Sequence, residues 1–144
     1  MNADSECIFC KIVGGEIPSL RLFEDDHTFA FLDIGPLAEG HVLVVPKKHY
    51  VTLAEMPPDL VAANTRHLPR LARAVTQGVS ADGCNILQNN GRVAGQEVAH
   101  VHWHIIPRVA GDGLGYRWNA SSYAQGRDQQ VLQQILAVLQ EEKG

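Results

Sequence analysis

Three histidines alternate with large apolar residues in the stretch His100-Val101-His102-Trp103-His104-Ile105-Ile106. In an extended strand successive side chains point to opposite faces, so the histidines would form one row while Val101, Trp103 and Ile105 enter a core. Histidine titrates close to physiological pH, which suits it to nucleophilic, acid/base or metal chemistry. The pattern therefore predicts a strand that carries chemistry on one face, rather than three solvated histidines on an edge strand.

The spacing of this row leaves two kinds of chemistry open. Neighbouring histidines lie about 6.6 Å apart along a strand, and His100 and His104 about 13 Å apart, so one ion cannot easily hold all three. Two of them could bind zinc with a third ligand from elsewhere, leaving an open coordination position. Alternatively, His102 acts as a nucleophile through its own ring nitrogen, oriented by its neighbours.

A segment rich in glycine and amide side chains, residues 89–98, directly precedes the row and follows an apolar run at 84–87. Glycine lets the backbone approach a ligand closely, and successive N–H groups form concave anion sites. A glycine loop alone usually indicates a turn. Next to three aligned histidines, it favours nucleophilic chemistry on a bound anion.

The run Gly95-Gln96-Glu97-Val98 and the histidine row together resemble the signature of the histidine-triad (HIT) superfamily. The resemblance covers about residues 6–108, because four upstream stretches also carry it: residues 8–12 (IFCKI), 15–18 (GEIP), 31–34 (FLDI) and 41–49 (HVLVVPKKH). Nucleotide-transferring branches of the superfamily have glutamine at the third position of the row. His104 therefore points to the hydrolase branches.

The chain is expected to form one α+β HIT-like domain over residues 1–144, with a core at about 6–108 and a C-terminal loop and helix at 111–144. We predict a largely antiparallel sheet of about five strands, one main helix and a C-terminal helix. The strands are expected at 20–24, 28–33, 41–46, 84–87 and 99–107, with Asp25-Asp26 as a hairpin turn.

The helices follow from apolar residues at helical spacing. A short helical turn is expected at 8–13, and the main helix from 57–59 to about 79, bent at Pro69. A second amphipathic helix is expected at 129–142. We interpret its apolar stripe as core packing, and the stripe consists of Val131, Leu132, Ile135, Val138 and Leu139.

The composition of the chain limits the kinds of partner that the protein can bind. With 144 residues, 45% of them hydrophobic, the chain suits one domain, and its net charge of −4 offers no basic surface to nucleic acid or an anionic membrane. The first six residues are polar and acidic, and no apolar run approaches the ~18 residues of a membrane span. We therefore expect a cytoplasmic protein that binds neither nucleic acid nor membrane. Three cysteines argue against a disulfide framework.

The resemblance implies a catalytic role for each histidine of the row. His102 matches the nucleophile, which attacks the α-phosphorus of a nucleotide to give a nucleotidyl-histidine that water then hydrolyses. The backbone carbonyl of His100 accepts a hydrogen bond from His102 and fixes its tautomer. His104 matches a residue that contacts phosphate.

The resemblance also implies a nucleotide pocket. Asp33 matches the residue that holds the ribose hydroxyls, a role that suits its two acceptor oxygens. Asn89 and the backbone of Gly95, Gln96, Glu97 and Val98 match the phosphate cradle. Six apolar residues match the walls around the base, although any one of them could be ordinary core: Ile8, Phe9, Ile12, Phe31, Ile34 and Leu43.

Glu97 departs from the best-known nucleotide-binding branch, where a serine or threonine hydroxyl at this position helps the leaving group. An ionised glutamate cannot donate a proton and would repel phosphate if it pointed inward. We expect its backbone N–H to serve the site while its side chain turns away. The identity of the leaving group stays open.

Cys7 and Cys10 have the C-x-x-C spacing of a zinc site or a redox dithiol. A redox motif normally lies where a strand enters a helix in a βαβ unit, which this N-terminus lacks. Some bacterial-type HIT proteins resemble this chain in completing a zinc site with two histidines, here His49 and His100. That resemblance implies a structural zinc that the chemical step does not need; the alternative is two ordinary cysteines. Three histidines are interpreted as surface or core residues: His27, His41 and His67.

Together these observations predict a hydrolase of the adenosine phosphoramidase or dinucleoside polyphosphate hydrolase class. It would cleave a purine nucleoside monophosphate from a phosphoramidate, acyl-phosphate or polyphosphate leaving group. The alternative is a nucleotide-binding, zinc-stabilised interaction protein with vestigial hydrolysis. The resemblance further implies a homodimer that joins two sheets and buries part of the helical stripe at 60–79. Trp118 would cover the partner or the leaving-group side of the site.

Overall fold

The structure is a computed structural model that describes residues 4–115 and 121–143. The chain divides into two compact units, Met1–Leu114 and Gly115–Gly144. Strands in the first unit form one antiparallel sheet in the order β1-β2-β3-β5-β4. They are β1 Arg21–Glu24, β2 Thr28–Leu32, β3 Val42–Pro46, β4 Gly83–Gln88 and β5 Trp103–Arg108. The α+β class and the five-stranded antiparallel sheet are thus confirmed.

The sheet is covered on both faces, as the apolar β-branched sequence of β3 predicts. Helices α2 (Pro58–Thr65) and α3 (Leu68–Gly78) pack on one face, where Val42 and Val44 are buried. Helix α1 (Ile8–Val13) packs on the other face, where Leu43 and Val45 are buried. Because side chains alternate along a strand, β3 contributes to both clusters.

The apolar residues between the histidines lie in the cluster beneath α2 and α3, as predicted. Val101, Trp103 and Ile105 are all buried there. The predicted strand start at residue 99 is wrong, however, because β5 begins at Trp103. The His100 N–H donates to Val98 O at 2.8 Å in a local bend, and the Val101 N–H donates to Tyr50 O at 2.8 Å outside the sheet. Two of the three histidines therefore precede the strand.

The predicted main helix is two helices, α2 and α3, separated at Arg66 and His67. Pro69 lies in the first turn of α3, where a missing backbone N–H breaks no intrahelical bond. The proline therefore starts a helix instead of bending one. The apolar stripe is nevertheless buried as expected, with Leu71 and Val75 against the sheet.

The predicted hairpin joins β1 to β2 and is fixed by Asp25. Its Oδ1 accepts the backbone N–H groups of His27 at 2.9 Å and Thr28 at 2.8 Å. Its Oδ2 lies 2.7 Å from His67 Nε2, which connects the turn to the start of α3. His67 is therefore a structural residue, in line with its interpretation from the sequence.

The second unit contains helix α4, Arg127–Lys143. Its apolar stripe is not core: Leu132, Ile135 and Val138 are 45%, 55% and 54% exposed. The interpretation of these three residues as core packing is therefore wrong. Trp118 and the side chain of Leu139 lie outside the described residues. Within the described ranges, no helix is both long and apolar enough to cross a membrane.

Candidate functional site

His102 is buried and its ring is held in one tautomer. Its Nδ1 lies 2.7 Å from the backbone oxygen of His100, and because a carbonyl only accepts, Nδ1 carries the proton. The lone pair of a neutral His102 is therefore on Nε2. The edge of the Phe9 ring packs against the imidazole, with the ring centroids 5.1 Å apart. His102 thus has one free nucleophilic nitrogen and a fixed ring plane.

A chain of hydrogen bonds fixes the neighbouring His104. The backbone N–H of Leu37 donates to His41 Nδ1 at 3.0 Å, so a neutral His41 carries its proton on Nε2. His41 Nε2 lies 2.9 Å from His104 Nδ1 and donates to it. A neutral His104 therefore carries its proton on Nε2, and its ring lies 4.8 Å from that of His102 between centroids. One histidine presents a lone pair, and its neighbour presents a proton donor.

Burial keeps these histidines neutral. Together with smaller effects of the nearby His102 and His41, it lowers the pKa of His104 to about 4, against the charge of Asp33. Burial also lowers the pKa of His102, although the hydrogen bond to His100 O and the charge of Asp33 oppose this. The pKa of His41 is lowered by burial as well, against the charge of Asp33. Neutral rings are the forms that the hydrogen-bond chain requires.

His41 is a site residue that sequence reasoning missed. It is 2% exposed and lies two residues before Leu43, which is the cross-strand partner of His104. The alternation along β3 places His41 and Leu43 on one face, so the pairing of β3 with β5 would have identified it. That pairing is non-local, and the sequence alone does not disclose it.

Asp33 lies just after β2, within reach of His41. Its Oδ1 accepts the Gly35 N–H at 2.8 Å, which shapes the following turn. Its Oδ2 lies 3.7 Å from His41 Nε2 and is partly exposed. One carboxylate oxygen is thus used by the fold, and the other is available to a hydroxyl donor.

Gln96 fixes the loop before the histidines through two side-chain hydrogen bonds. This buried side chain accepts the Gly91 N–H at 2.7 Å and donates to Val51 O at 2.6 Å, so its amide is used by the loop itself. Asn89 Nδ2 donates to Gly95 O at 3.4 Å. Gly95 has a φ of +95°, and a Cβ there would lie 3.4 Å from Asn89 Nδ2, so glycine suits both the backbone and the approach.

Among the described residues, the backbone N–H groups of Glu97 and Val98 belong to the donors of this loop that have no acceptor. In the part of the chain that the structure describes, the N–H groups of Glu97 and Val98 make no hydrogen bond, whereas the Gln96 N–H donates to Gly91 O at 3.1 Å. The Glu97 side chain is exposed. Adjacent free N–H groups are suited to binding an anion.

The six predicted base-wall residues do not form one surface. Four are buried together on the α1 face of the sheet: Phe9, Ile12, Phe31 and Leu43. Ile8 and Ile34 are 44% and 92% exposed. Ile34 follows Asp33 directly, so it is the apolar member that an incoming ligand would meet first.

A second cluster brings together the four residues of the predicted metal site. Cys7, the N-cap of α1, places its Sγ 3.3 Å from His100 Nδ1, and Cys10 Sγ lies 3.6 Å from the same nitrogen. His49 Nδ1 lies 3.4 Å from Cys10 Sγ and 3.1 Å from His100 Nδ1. All four ligand atoms lie within 4.8 Å of one another.

The donors of this cluster fit a tetrahedral metal ion. Ligand atoms around tetrahedral zinc with two sulfurs and two nitrogens are about 3.3–3.8 Å apart, close to the distances found here. His100 Nε2 lies 2.8 Å from Pro46 O and donates to it, which leaves the Nδ1 lone pair facing the thiols. Burial lowers the pKa of His100 to about 4, against this hydrogen bond. A histidine that binds a metal through one ring nitrogen usually donates its other ring N–H to a carbonyl or carboxylate, which fixes its tautomer.

The two histidine clusters are connected through one aromatic side chain. Phe9 lies between Cys7 and Cys10 in the sequence, and its ring is 5.8 Å from that of His100 and 5.1 Å from that of His102. The segment that carries the two thiols therefore also packs against His102.

Comparison with known proteins identifies relatives of this chain. The chain is 55% identical over 107 residues to an uncharacterized HIT-like protein of Methanocaldococcus jannaschii, which covers 74% of this chain and 82% of that protein. It is 39% identical to an adenosine 5′-monophosphoramidase of Candida albicans, with 99% of both chains covered.

Solved structures show the same fold. A Streptococcus mutans protein superposes with a TM-score of 0.91 at 38% identity, covering 96% of this chain and 88% of that one. A Zn-bound histidine triad family protein of Mycobacterium smegmatis has a TM-score of 0.72 at 40% identity, covering 95% and 97%. The family model of the HIT domain matches residues 14–111. The chain therefore belongs to the HIT family.

Proposed function

We propose that this protein is a nucleotidyl hydrolase that transfers a purine nucleoside monophosphate from a leaving group to His102 and then to water. The observation that carries the proposal is a difference between two adjacent imidazole rings in what their Nε2 atoms offer, a lone pair in one and a proton in the other. His102 has its lone pair on Nε2, and His104 has its proton on Nε2. A nucleophile beside a proton donor is the arrangement that displacement at phosphorus needs.

In this mechanism His102 Nε2 attacks the α-phosphorus and the bond to the leaving group breaks. The His100 carbonyl stabilises the imidazolium that forms, because it accepts the Nδ1 proton throughout. Water then attacks the nucleotidyl-histidine and releases the monophosphate. The name of the Candida albicans relative, an adenosine 5′-monophosphoramidase, supports an adenylyl group joined to nitrogen as the substrate.

The phosphate is proposed to lie between the loop and His104. The unpaired N–H groups of Glu97 and Val98 would bind one oxygen, and His104 Nε2 would donate to another. Asp33 Oδ2 would accept a ribose hydroxyl. The base would pack near the exposed Ile34 and the buried Phe9 and Phe31. Gln96 is proposed to shape the loop instead of touching the nucleotide, because its amide is already bonded.

Cys7, Cys10, His49 and His100 are proposed to hold a structural zinc ion. The converging lone pairs and the Zn-bound Mycobacterium smegmatis relative support this assignment. When bound, the ion would connect the N-terminal segment to the segment that bears His102 and add to the free energy of unfolding. His100 can ligate through its side chain and still orient His102, because its backbone oxygen does the orienting.

We also propose that two copies associate along β4. This strand is at one edge of the sheet, and its Ile86 and Leu87 are 46% and 41% exposed. Leu71 and Val75 of the helical stripe are buried in the subunit's own core, which leaves the sheet edge for a second copy. Analytical ultracentrifugation at micromolar concentration should give about twice the 15.8 kDa chain mass. A purely monomeric species would reject the dimer.

The direct test of the function compares an adenosine phosphoramidate with a diadenosine polyphosphate as substrates of the purified protein. We expect turnover of the phosphoramidate, and in His102→Ala a loss of at least about a thousandfold in kcat/KM. Affinity for the mononucleotide should change by less than about tenfold, since the other contacts remain. Most of the wild-type turnover persisting in the variant would overturn the nucleophile. Nucleotide binding without turnover of either substrate would favour the binding protein with vestigial hydrolysis.

A further inference from the structure

Glu97 is a carboxylate without a counter-ion at the mouth of the proposed phosphate site. Its side chain is exposed, and within the described ranges it has neither an ion-pair partner nor a hydrogen-bond donor. Arg92 is the only other charged residue in 89–98, and these ranges show no bond between the two. The negative charge of Glu97 is therefore not neutralised locally.

The position of this carboxylate relative to phosphate is limited by its own backbone. The N–H of Glu97 is one of the loop donors that make no hydrogen bond within the described residues. A glutamate carboxylate reaches about 5 Å from its Cα, the N–Cα bond adds about 1.5 Å, and an N–H···O contact spans about 2.9 Å, so the carboxylate lies within about 9 Å of any oxygen bound to that N–H. Such a distance is within the Debye length of about 10 Å at 0.1 M ionic strength, and further within it at lower salt, where charges still interact.

The Glu97 side chain points away from the loop's interior, so its charge and its backbone N–H can act on different parts of a substrate. Val98 packs against the cluster beneath α1, whereas Glu97 is exposed, so successive side chains of the loop diverge. The backbone can thus bind the phosphate while the carboxylate faces solvent beside it. In the proposed binding mode, the part of the substrate that extends from phosphorus into solvent is the leaving group, so the leaving group would be the part nearest this carboxylate.

We propose that Glu97 selects leaving groups that carry a positive charge, with amines bearing a second, protonated amino group as the substrate class. The inference rests on the proposed nucleotidyl hydrolase function and names its substrate. In the reaction the P–N bond breaks as the His102 Nε2–P bond forms, and the leaving nitrogen takes one proton from water and departs as the amine. A distal ammonium on that amine is attracted by Glu97, and a distal carboxylate is repelled.

The test uses three adenosine phosphoramidates of similar length, made from 1,4-diaminobutane, pentylamine and 4-aminobutanoate. They carry a distal cation, a methyl group and a distal anion. kcat/KM is measured for wild type, Glu97→Gln and Asp59→Asn at low ionic strength. Asp59 is an exposed carboxylate in the first turn of α2, on the opposite face of the sheet from α1, so its variant is a control for net charge.

We expect the cation-to-anion ratio of kcat/KM to fall about fivefold in Glu97→Gln and to stay unchanged in Asp59→Asn. In 1 M salt the difference between wild type and Glu97→Gln should shrink below about twofold. An equal ratio in wild type and Glu97→Gln, with normal turnover of the pentylamine compound, would overturn the selectivity alone. Absence of turnover of all three compounds by wild type would overturn the hydrolase function and this inference with it.

Discussion

Two clusters of histidine with acidic or thiol partners lie close to the same catalytic segment, and they differ in where their protons are. In the thiol cluster, His100 Nε2 donates a hydrogen bond to Pro46 O, so the Nδ1 lone pair faces Cys7 and Cys10. In the cluster of Asp33, His41 and His104, the Leu37 N–H occupies the His41 Nδ1 lone pair, and Nε2 must carry the proton. In the thiol cluster the His100 lone pair points toward the two sulfurs. In the other cluster the hydrogen bonds run in one direction, from the Leu37 N–H to His41 and from His41 to His104.

This difference decides which cluster can take a metal ion. Both have three or more potential ligands within 4.8 Å of one another. A metal on His41 Nε2 would have to displace its proton while Nδ1 still accepts from Leu37, which would leave the ring an anion. Ligand identity and distance therefore do not distinguish the two clusters. The backbone partner of each imidazole does, because it sets the tautomer.

The largest expected effect is on the thiol cluster. Cys10→Ser should abolish bound zinc and lower Tm by more than about 10 °C, because a structural metal contributes several kcal/mol to folding. Cys84→Ser is the matched control, since Cys84 lies in β4 and outside this cluster. Metal analysis of protein prepared without chelator, together with thermal unfolding, measures both effects. A zinc content near zero in wild type would remove the metal site.

A substitution in the cluster of Asp33, His41 and His104 should lower kcat and leave bound zinc unchanged. His41→Ala removes the donor to His104 Nδ1 and frees its tautomer, so kcat should fall at least about tenfold while bound zinc stays at the wild-type level. Zinc stoichiometry and kcat are measured on the same preparation. Loss of zinc from His41→Ala, or unchanged kcat, would contradict the separation of the two clusters. In this scheme His41 is a positioning residue.

The pH profile should reveal the neutral histidines. Burial lowers the pKa values of His102 and His104, the latter to about 4, and protonation of His102 removes its Nε2 lone pair. kcat/KM should therefore stay constant as pH falls through 6.5, the ordinary histidine value, and decline only at lower pH. In His41→Ala the pKa of His104 should rise, because one of the groups that lowers it is gone, and any part of the acid limb that comes from His104 should move to higher pH. An acid limb centred at or above pH 6.5 in wild type would be incompatible with neutral buried rings.

The smallest effect is expected from a histidine in neither cluster. His67→Ala removes a 2.7 Å contact with Asp25 and the packing of its ring on Phe23, 4.5 Å away between centroids. The free energy of unfolding should fall by about 1 kcal/mol, and kcat should change by less than about twofold. Denaturant unfolding and steady-state kinetics measure the two quantities. A large loss of activity would mean that the loss in His41→Ala is not specific to its cluster.

Much of the fold could be predicted from local sequence pattern. The alternation of Val101, Trp103 and Ile105 correctly identifies the face that enters the core, and Asp25-Asp26 correctly marks the hairpin. The start of β5 could not be predicted, because residues 98–100 form a bend and the Val101 N–H bonds to Tyr50 O, outside the sheet. The separation of α2 from α3 could not be predicted, and a single helix bent at Pro69 was expected, since a proline inside a periodic stripe is equally compatible with a bend and with a helix start.

The chemistry of the site could be predicted only in part, because it depends on distant backbone partners. Cys7, Cys10, His49 and His100 were predicted as a set from resemblance, and the structure brings all four together. His41 was missed, because its role follows from the pairing of β3 with β5. The proton on each imidazole is likewise set by Pro46 and Leu37, which no motif in the sequence connects with these rings.

The most direct test of the central claim is to trap the covalent intermediate on His102. Wild-type protein is mixed with an adenosine phosphoramidate radiolabelled in the adenylyl group, quenched during turnover with alkaline denaturant, in which a P–N bond to histidine is stable, and digested at alkaline pH for peptide analysis. We predict label on the peptide that contains His102, at up to one adenylyl group per chain, and none in His102→Ala. Wild-type protein that turns over without any covalent label, or equal labelling of His102→Ala, would contradict the account.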